Sequence, residues 1–212
     1  MMLSEKDGRF YHALTLKADH TGMTSIQQLW LLLGSSWAML EIAIVYKTRL
    51  PCNRSDRQKY RSEKLIWVVV IASLMVALGF KQLHLAALPF AYFQRQGIAL
   101  FLLSIGLALR FYGVLSLGRF FSTTAVTQSQ HVLIDHGPYH FIRHPTYTGL
   151  LISFFAAGLA MGDMLAILSL LCPVTYVLNQ RIRVEEQGLI EHFGQAYCDY
   201  SYRTKKLIPW LY

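Results

Sequence analysis

Two short stretches of this sequence hold the residue types that could do chemistry. The first is "HGPYHFIRHPTYTG", residues 136–149. It contains three histidines, each four residues from the next, and an arginine directly before the third. The second is "RIRVEEQG", in which Arg181 and Glu185 are four residues apart. Imidazole, guanidinium and carboxylate groups bind metal ions or small charged molecules. Both kinds of site are therefore open at this point.

A metal site in the first stretch needs His136, His140 and His144 on one helical face. Pro138 and Pro145 argue against this, because proline disfavours helical geometry in the residue before it. The remaining histidines are scattered along the chain and do not form a second cluster: His12, His20, His84, His131 and His192. The sequence therefore predicts no metal site.

A polar turn without a function is the plainer alternative for the same stretch. Gly137-Pro138 is a strong turn signal. However, the triplet Arg143-His144-Pro145 directly precedes a long apolar run. Polar side chains at the edge of a membrane are costly unless they are paired or functional. This setting favours a pocket for a small polar molecule.

Arg181 and Glu185 are neighbours on one face of a helix, because side chains at i and i+4 face the same way. A surface salt bridge is the alternative for such a pair. Glu186 lies about 100° further around the helix and is interpreted as a supporting partner of the site. Arg183 is interpreted as a contact to solvent or to lipid headgroups.

The composition of the chain predicts that helices spanning a membrane position these residues. Hydrophobic residues make up 54% of the 212 residues and charged ones only 15%, whereas soluble proteins have about 25% charged residues. A helix of about 20 apolar residues spans a bilayer. Four apolar runs meet or approach this length: residues 26–46, 65–80, 97–117 and 147–178. The last run is too long for one span and contains Gly162-Asp163, which predicts a turn between two helices. The fold class is therefore all-α, an integral membrane bundle of about five transmembrane helices.

The distribution of Lys and Arg predicts the orientation of this bundle. Fourteen of these twenty residues lie in the 47–64 loop, the 118–146 segment and the tail that follows the fifth span. Cytoplasmic segments carry the excess of positive charge. These segments, and the active site with them, are predicted to face the cytoplasm. Arg110 and Glu41, which lie within spans, are interpreted as structural, although Arg110 could also point into the site.

The whole chain, 1–212, is predicted to be one membrane domain. It comprises an N-terminal segment (1–25), three spans (26–117) and a region with the helical hairpin and a tail helix (118–212). The tail has apolar residues at helical spacing, which predicts a cytoplasmic amphipathic helix that continues the fifth span: Leu189, Ile190, Phe193 and Tyr197. "KKLIPWLY" at the end suits the membrane interface.

The combination of these motifs resembles the isoprenylcysteine carboxyl methyltransferase family of integral membrane enzymes. "HVLIDHGPYHFIRHPTYTG" is followed about 30 residues later by "RIRVEEQGLIEHFGQAYCDY", and the order of the pieces is specific although each piece alone is weak. The resemblance extends over roughly the C-terminal half of the chain. It is looser to phospholipid N-methyltransferases.

The resemblance implies a cofactor, S-adenosyl-L-methionine, and a set of residues that bind it at the cytoplasmic end of the helices. Arg181 would contact the substrate and act in catalysis. An additional cofactor contact upstream, at Val126 or Thr127, is open. The implied cofactor-binding residues are His131, Val132, Leu133, Ile134, Tyr139, His144, Pro145, Thr146, Tyr147 and Glu185.

The chemistry of these side chains agrees with this implication. Glu185 can accept hydrogen bonds from ribose hydroxyls or pair with a cation, and Tyr139 and Tyr147 offer flat faces to adenine or a sulfonium. Arg181 suits a carboxylate acceptor, because a guanidinium holds a carboxylate bidentately. This chemistry favours O-methylation over N-methylation, and the resemblance implies that the acceptor is lipophilic and isoprenylcysteine-like and arrives from the bilayer.

Other functions remain open at this stage. The acceptor could be a phospholipid amine or a small thiol, and an NADPH-dependent membrane reductase of the sterol type or a non-enzymatic scaffold are rivals. No motif supports nucleic-acid binding. The three cysteines, Cys52, Cys172 and Cys198, form no pair or CxxC motif and predict no disulfide framework.

Overall fold

The computed structural model describes residues 24–48, 57–118 and 133–208. Within these ranges the chain is almost entirely helical, with two isolated β-bridges in place of strands. The α-helices are α1 (Ser25–Thr48), α2 (Arg57–Leu83), α3 (Tyr92–Leu117), α4 (Pro145–Met161), α5 (Met164–Phe193) and α6 (Gln195–Arg203), and a short 3-10 helix covers Gly137–His140. The prediction of an all-α fold is confirmed.

The described residues divide into two units between Glu41 and Ile42. In the first unit, α1 begins with a capping box: Thr24 N donates to Gln27 Oε1 at 2.9 Å and Gln27 N donates to Thr24 Oγ1 at 3.4 Å. Trp37 Nε1 donates to Glu41 Oε1 at 3.0 Å. Glu41 therefore has a partner on its own helix.

In the second unit, three described helices are long and apolar enough to cross a membrane: residues Leu65–Leu83 of α2, the whole of α3 and the whole of α5. α4, with 17 residues, is apolar but shorter. Large apolar side chains face outward from them, such as Val68 (62% exposed) and Phe101 (64% exposed). Such a surface suits lipid rather than water. The chain is an integral membrane protein, and the count of five spans stays a prediction.

The predicted turn between the fourth and fifth spans is confirmed. Gly162 ends α4 with φ +81°, a conformation that glycine adopts without a steric penalty. Asp163 caps α5 by accepting from Leu165 N at 2.8 Å, and its second carboxylate oxygen accepts from Ala86 N at 2.8 Å. Asp163 therefore joins the loop between α2 and α3 to the hairpin of α4 and α5.

Glycines allow α3 and α4 to approach each other closely. A Cβ at Gly149 would lie 2.5 Å from the carbonyl oxygen of Gly106, and a Cβ at Gly106 would lie 2.7 Å from that of Gly149. Neither helix could carry a larger residue there without moving. This proximity lets Arg110, which is buried in α3, donate from Nη1 to Thr146 O at 3.1 Å. Of the two interpretations of Arg110, the structural one agrees with this contact.

α5 runs without a break to Phe193, well beyond the predicted apolar run that ends at residue 178. Gly194, with φ +55°, ends it, and α6 follows as a separate helix. The predicted continuation of the fifth span into the tail thus extends to Phe193, whereas Tyr197, which was expected on the same helix, lies on α6. Within the tail, Tyr197 and Tyr200 are buried and pack with their ring centroids 5.9 Å apart. The interfacial role of Trp210 lies outside the described residues.

Candidate functional site

The histidine-rich stretch folds as two turns and not as one helix. Gly137, with φ +63°, opens the 3-10 helix, and His144 stands immediately before Pro145, which opens α4. His136 and His140 are exposed, whereas His144 is 4% exposed. The three histidines therefore do not share a helical face, as the prolines predicted.

Four of the predicted site residues come together between the first turn of α4 and the C-terminal half of α5. The His144 ring stacks on the Tyr147 ring, with centroids 5.6 Å apart and planes 21° from parallel. Tyr147 Oη donates to Glu185 Oε2 at 2.9 Å, and the Arg181 side chain interacts electrostatically with the same phenol. Arg181 is 5% exposed. A buried guanidinium and a half-buried carboxylate thus meet on one phenol.

Tyr139 lies against the same group from the 3-10 helix. Its Oη donates to Gly113 O at 3.4 Å, and its carbonyl oxygen accepts from Tyr200 Oη at 2.7 Å. Burial, and then the negative charge of Glu185, raises the pKa of Tyr139 well above its usual range. Burial also raises the pKa of Tyr200 to about 12. Both phenols are therefore protonated donors at neutral pH, and Tyr200 fixes the backbone that carries Tyr139.

Pro145 and Thr146 are buried against α3. A Cβ at Gly113 would lie 2.8 Å from Thr146 Cγ2, and the carbonyl of Thr146 is the one that accepts from Arg110. Leu133 and Ile134 are half-buried just before the 3-10 helix. His131, Val132, Val126 and Thr127 lie outside the described residues.

Glu186, which the sequence analysis interprets as a supporting partner of the site, is the centre of an ionic cluster whose other members the sequence did not predict. Glu186 Oε1 accepts from Arg143 Nε at 2.9 Å and lies 3.5 Å from His144 Nε2, while Lys206 Nζ lies 3.1 Å from Oε2. The partners of Glu186 come from a turn 43 residues upstream and from the tail. The only sequence signal was the position of Glu186 next to Glu185.

Buried polar atoms near this cluster leave hydrogen-bonding capacity open. In the part of the chain that the structure describes, Tyr197 Oη is buried without a hydrogen-bond partner, and His144 Nε2 is buried with only the 3.5 Å contact to Glu186 Oε1, which does not form a hydrogen bond. Buried polar atoms are normally paired, so such atoms indicate a place for a polar ligand or an ordered water. Together with Arg181 and Glu185, they form a site of mixed charge that can bind a molecule carrying both signs.

The described residues of the site lie in the part of the chain that matches a family model. Residues 98–191 match the sequence model of the isoprenylcysteine carboxyl methyltransferase family. This range contains most of α3, the 3-10 helix, α4 and α5 through Glu191. It therefore includes the stretch with His144 and Tyr147 and the pair Arg181 and Glu185.

Individual relatives match at low to moderate identity. A protein-S-isoprenylcysteine O-methyltransferase of Tribolium castaneum is 29% identical over 153 residues, which cover 68% of this chain and 49% of the relative. The Saccharomyces cerevisiae protein of the same name is 37% identical over 90 residues, 40% of this chain and 35% of the relative. Methanethiol S-methyltransferase 1 of Bradyrhizobium diazoefficiens is 36% identical over 72 residues, 34% of this chain and 24% of the relative. The chain spans about half the length of the first of these relatives.

The fold is also similar to a solved structure. That structure is of the eukaryotic intramembrane Ras methyltransferase, isoprenylcysteine carboxyl methyltransferase, without a monobody. The TM-score is 0.59 and the identity 24%, with 93% of this chain and 70% of the other covered. At this identity the likeness is evidence for the fold alone.

Proposed function

We propose that this chain is an integral membrane methyltransferase of the isoprenylcysteine carboxyl methyltransferase family, whose sequence model its residues 98–191 match, and that it uses S-adenosylmethionine. Its acceptor is the carboxylate of a lipophilic, isoprenylcysteine-like molecule. The observation that carries the proposal is that Glu185 accepts a hydrogen bond from the Tyr147 hydroxyl, with which the buried guanidinium of Arg181 also interacts electrostatically. This arrangement offers a cation for the acceptor and an anion for the cofactor within one site.

The residues present fit the cofactor. S-adenosylmethionine has an ammonium and a carboxylate, ribose hydroxyls, an adenine ring and a sulfonium. Glu185 is an acceptor for hydroxyls or the ammonium. The ring faces of Tyr139 and Tyr147 suit adenine or a cation. In accordance with the family resemblance, we assign cofactor binding to His131, Val132, Leu133, Ile134, Tyr139, His144, Pro145, Thr146, Tyr147 and Glu185.

The reaction needs orientation and dehydration more than proton transfer. When bound, the cofactor supplies an electrophilic methyl group on its sulfonium. A carboxylate acceptor is already ionised at neutral pH, so no side chain has to remove a proton. Arg181 is the catalytic residue: its buried guanidinium holds the carboxylate bidentately and excludes water from it.

A thiol acceptor is the second candidate, because one relative is a methanethiol S-methyltransferase. The pKa of a cysteine thiol is near 8.5, and an alkyl thiol such as methanethiol is likewise mostly protonated at neutral pH. Arg181 would stabilise its thiolate. An amine acceptor is disfavoured, because the guanidinium would repel its ammonium form.

Calorimetry of the purified protein in detergent tests the cofactor. We expect S-adenosylhomocysteine, the product form of the cofactor, to bind with micromolar affinity, and NADPH, the control, not to bind. Binding of NADPH alone would favour a sterol-type reductase. Binding of neither compound would favour a scaffold and would contradict the proposal.

Transfer of a labelled methyl group tests the acceptor. The protein is incubated with methyl-labelled S-adenosylmethionine and either a prenylated cysteine or methanethiol. We expect base-labile label, the signature of a methyl ester, on the prenylated cysteine only. Label on methanethiol alone would mean that the acceptor is a thiol and not a carboxylate. The cofactor assignment would still hold.

A further inference from the structure

We propose that Glu186 is a positioning residue of this site: through one ionic cluster it fixes His144, and through His144 it fixes Tyr147 against Glu185. The inference rests on the proposed function, since it concerns the residues that are assigned there to the cofactor. It gives a role to the cluster of Glu186, Arg143 and Lys206, which the assignment leaves unexplained.

Glu186 uses both carboxylate oxygens on partners from different parts of the chain. Oε1 faces Arg143 Nε at 2.9 Å and His144 Nε2 at 3.5 Å, and Oε2 faces Lys206 Nζ at 3.1 Å. The side chains of Glu186 and Arg143 are only 14% and 10% exposed. Exposed ion pairs contribute little, but a buried charge that loses its partner is strongly disfavoured. The geometry of this cluster is therefore well defined.

The tail segment after α6 is attached to the turn before α4 at the same place. Arg143 N donates to Lys205 O at 2.7 Å, and His144 N donates to Lys206 O at 3.1 Å. Arg143 Nη1 adds hydrogen bonds to the carbonyl oxygens of Ser201 and Thr204. Arg143 thus connects three backbone segments, and Glu186 holds the guanidinium that makes these connections.

The path from Glu186 to the reacting groups is short. His144, whose Nε2 faces Glu186, stacks on Tyr147. Tyr147 donates to Glu185 at 2.9 Å. Adjacent residues of a helix point about 100° apart, so Glu185 faces Tyr147 while Glu186 faces the turn and the tail. The two neighbouring glutamates have different tasks: Glu185 contacts the ligand, and Glu186 holds the residues around it.

The variant Glu186→Gln tests this role, because it keeps the shape of the side chain and removes its charge. We expect the Kd for S-adenosylhomocysteine, measured by calorimetry, to rise about tenfold. The KM for S-adenosylmethionine should rise similarly, while the KM for the acceptor changes less than twofold. A merely structural role would lower the amount of folded protein and leave both KM values alone. The matched control is Glu191→Gln, on an exposed residue of the same helix, which should behave as wild type.

A double-mutant cycle with Arg143→Gln provides a second readout. If the two side chains act as one pair, the double variant should bind S-adenosylhomocysteine about as well as Glu186→Gln alone, because coupled residues are not additive. Additive effects would overturn the inference. If Glu186→Gln does not fold, Lys206→Gln replaces it, since that side chain is 27% exposed; we then expect a rise in Kd of about threefold, and no rise would count against the role of the cluster.

The outcomes separate this inference from the proposed function. If the wild-type protein does not bind S-adenosylhomocysteine, both the proposed function and the inference about Glu186 are contradicted. If the wild-type protein binds S-adenosylhomocysteine and the folded Glu186→Gln variant binds it with the same affinity, only the role of Glu186 is contradicted.

Discussion

Tyr147 is the residue on which the candidate site depends most. It stacks on His144, donates to Glu185 and contacts Arg181. Three assigned side chains thus share one phenol, and a change in any of them alters the position of the others. Energetic effects of substitutions among these residues should accordingly be non-additive.

Glu185 and Arg181 are predicted to differ in what they bind. Glu185→Ala should abolish measurable binding of S-adenosylhomocysteine, because the carboxylate that receives the ligand is lost. Arg181→Ala should keep that binding within about fivefold and lower kcat/KM for the acceptor by about 100-fold or more, since charge-assisted bidentate contacts contribute about 3 kcal/mol. Calorimetry and methyl-transfer kinetics provide the two measurements.

Arg183→Ala is the matched control for Arg181→Ala, because Arg183 is exposed on the same helix. It should leave binding and turnover close to wild type. Unchanged kinetics in both the Glu185 and Arg181 variants would contradict the assignment of the site.

At the scale of elements, the packing of α3 on α4 sets the position of the turn that carries His144. The close contact between Gly106 and Gly149 brings Arg110 within reach of the carbonyl of Thr146. Small residues are typical of such close helix contacts in membranes, where backbone proximity improves van der Waals packing. At the other end of the hairpin, Asp163 fixes the start of α5.

Replacement of Gly149 by alanine tests this packing. The new Cβ would meet the backbone oxygen of Gly106, which cannot move like a flexible side chain. Overpacking of this kind costs about 1–3 kcal/mol, so the melting temperature in detergent should fall by several degrees.

Gly97→Ala is the control for this prediction, because a Cβ at Gly97 would meet nothing within 4 Å. Alanine is favoured over glycine inside a helix by about 0.5–1 kcal/mol, and this variant should melt at or slightly above the wild-type temperature. A loss of stability equal to that of Gly149→Ala would show that the effect is not one of packing.

At the scale of the whole molecule, the chain is an integral membrane protein whose orientation is a prediction. The basic 47–64 loop and the basic tail are expected in the cytoplasm. With five spans, the N-terminus and the C-terminus must lie on opposite sides. The residues of the candidate site lie close to the tail, since His144 N donates to Lys206 O, so they share the side of the tail.

Fusions of the full chain to green fluorescent protein test this orientation in a bacterial host, because an exported copy of this reporter does not fluoresce when it crosses the membrane unfolded. We expect fluorescence from the C-terminal fusion and none from the N-terminal fusion. Equal expression of both fusions, checked by immunoblot, is the control. Fluorescence at both termini would mean an even number of spans and would contradict the predicted count.

The sequence by itself determined the helical membrane fold and the turn at Gly162-Asp163. These features depend on local composition: a membrane requires each spanning segment to satisfy its own backbone hydrogen bonds, so apolar runs of sufficient length become helices. The prolines beside His136 and His144 likewise determined that the histidine stretch breaks into turns. The resemblance to a family supplied the choice of site residues within this frame.

Only the tertiary structure decided which side chains meet. Tyr147 and Glu185 are 38 residues apart in the chain, Arg143 and Glu186 are 43 apart, and Thr148 and Leu207, whose carbonyl accepts from Thr148 Oγ1, are 59 apart. Such pairs depend on how closely α3, α4 and α5 pack and on where the tail turns back after Gly194. Because these distances are set by contacts between helices, no local pattern could distinguish the partners of Glu185 from those of Glu186.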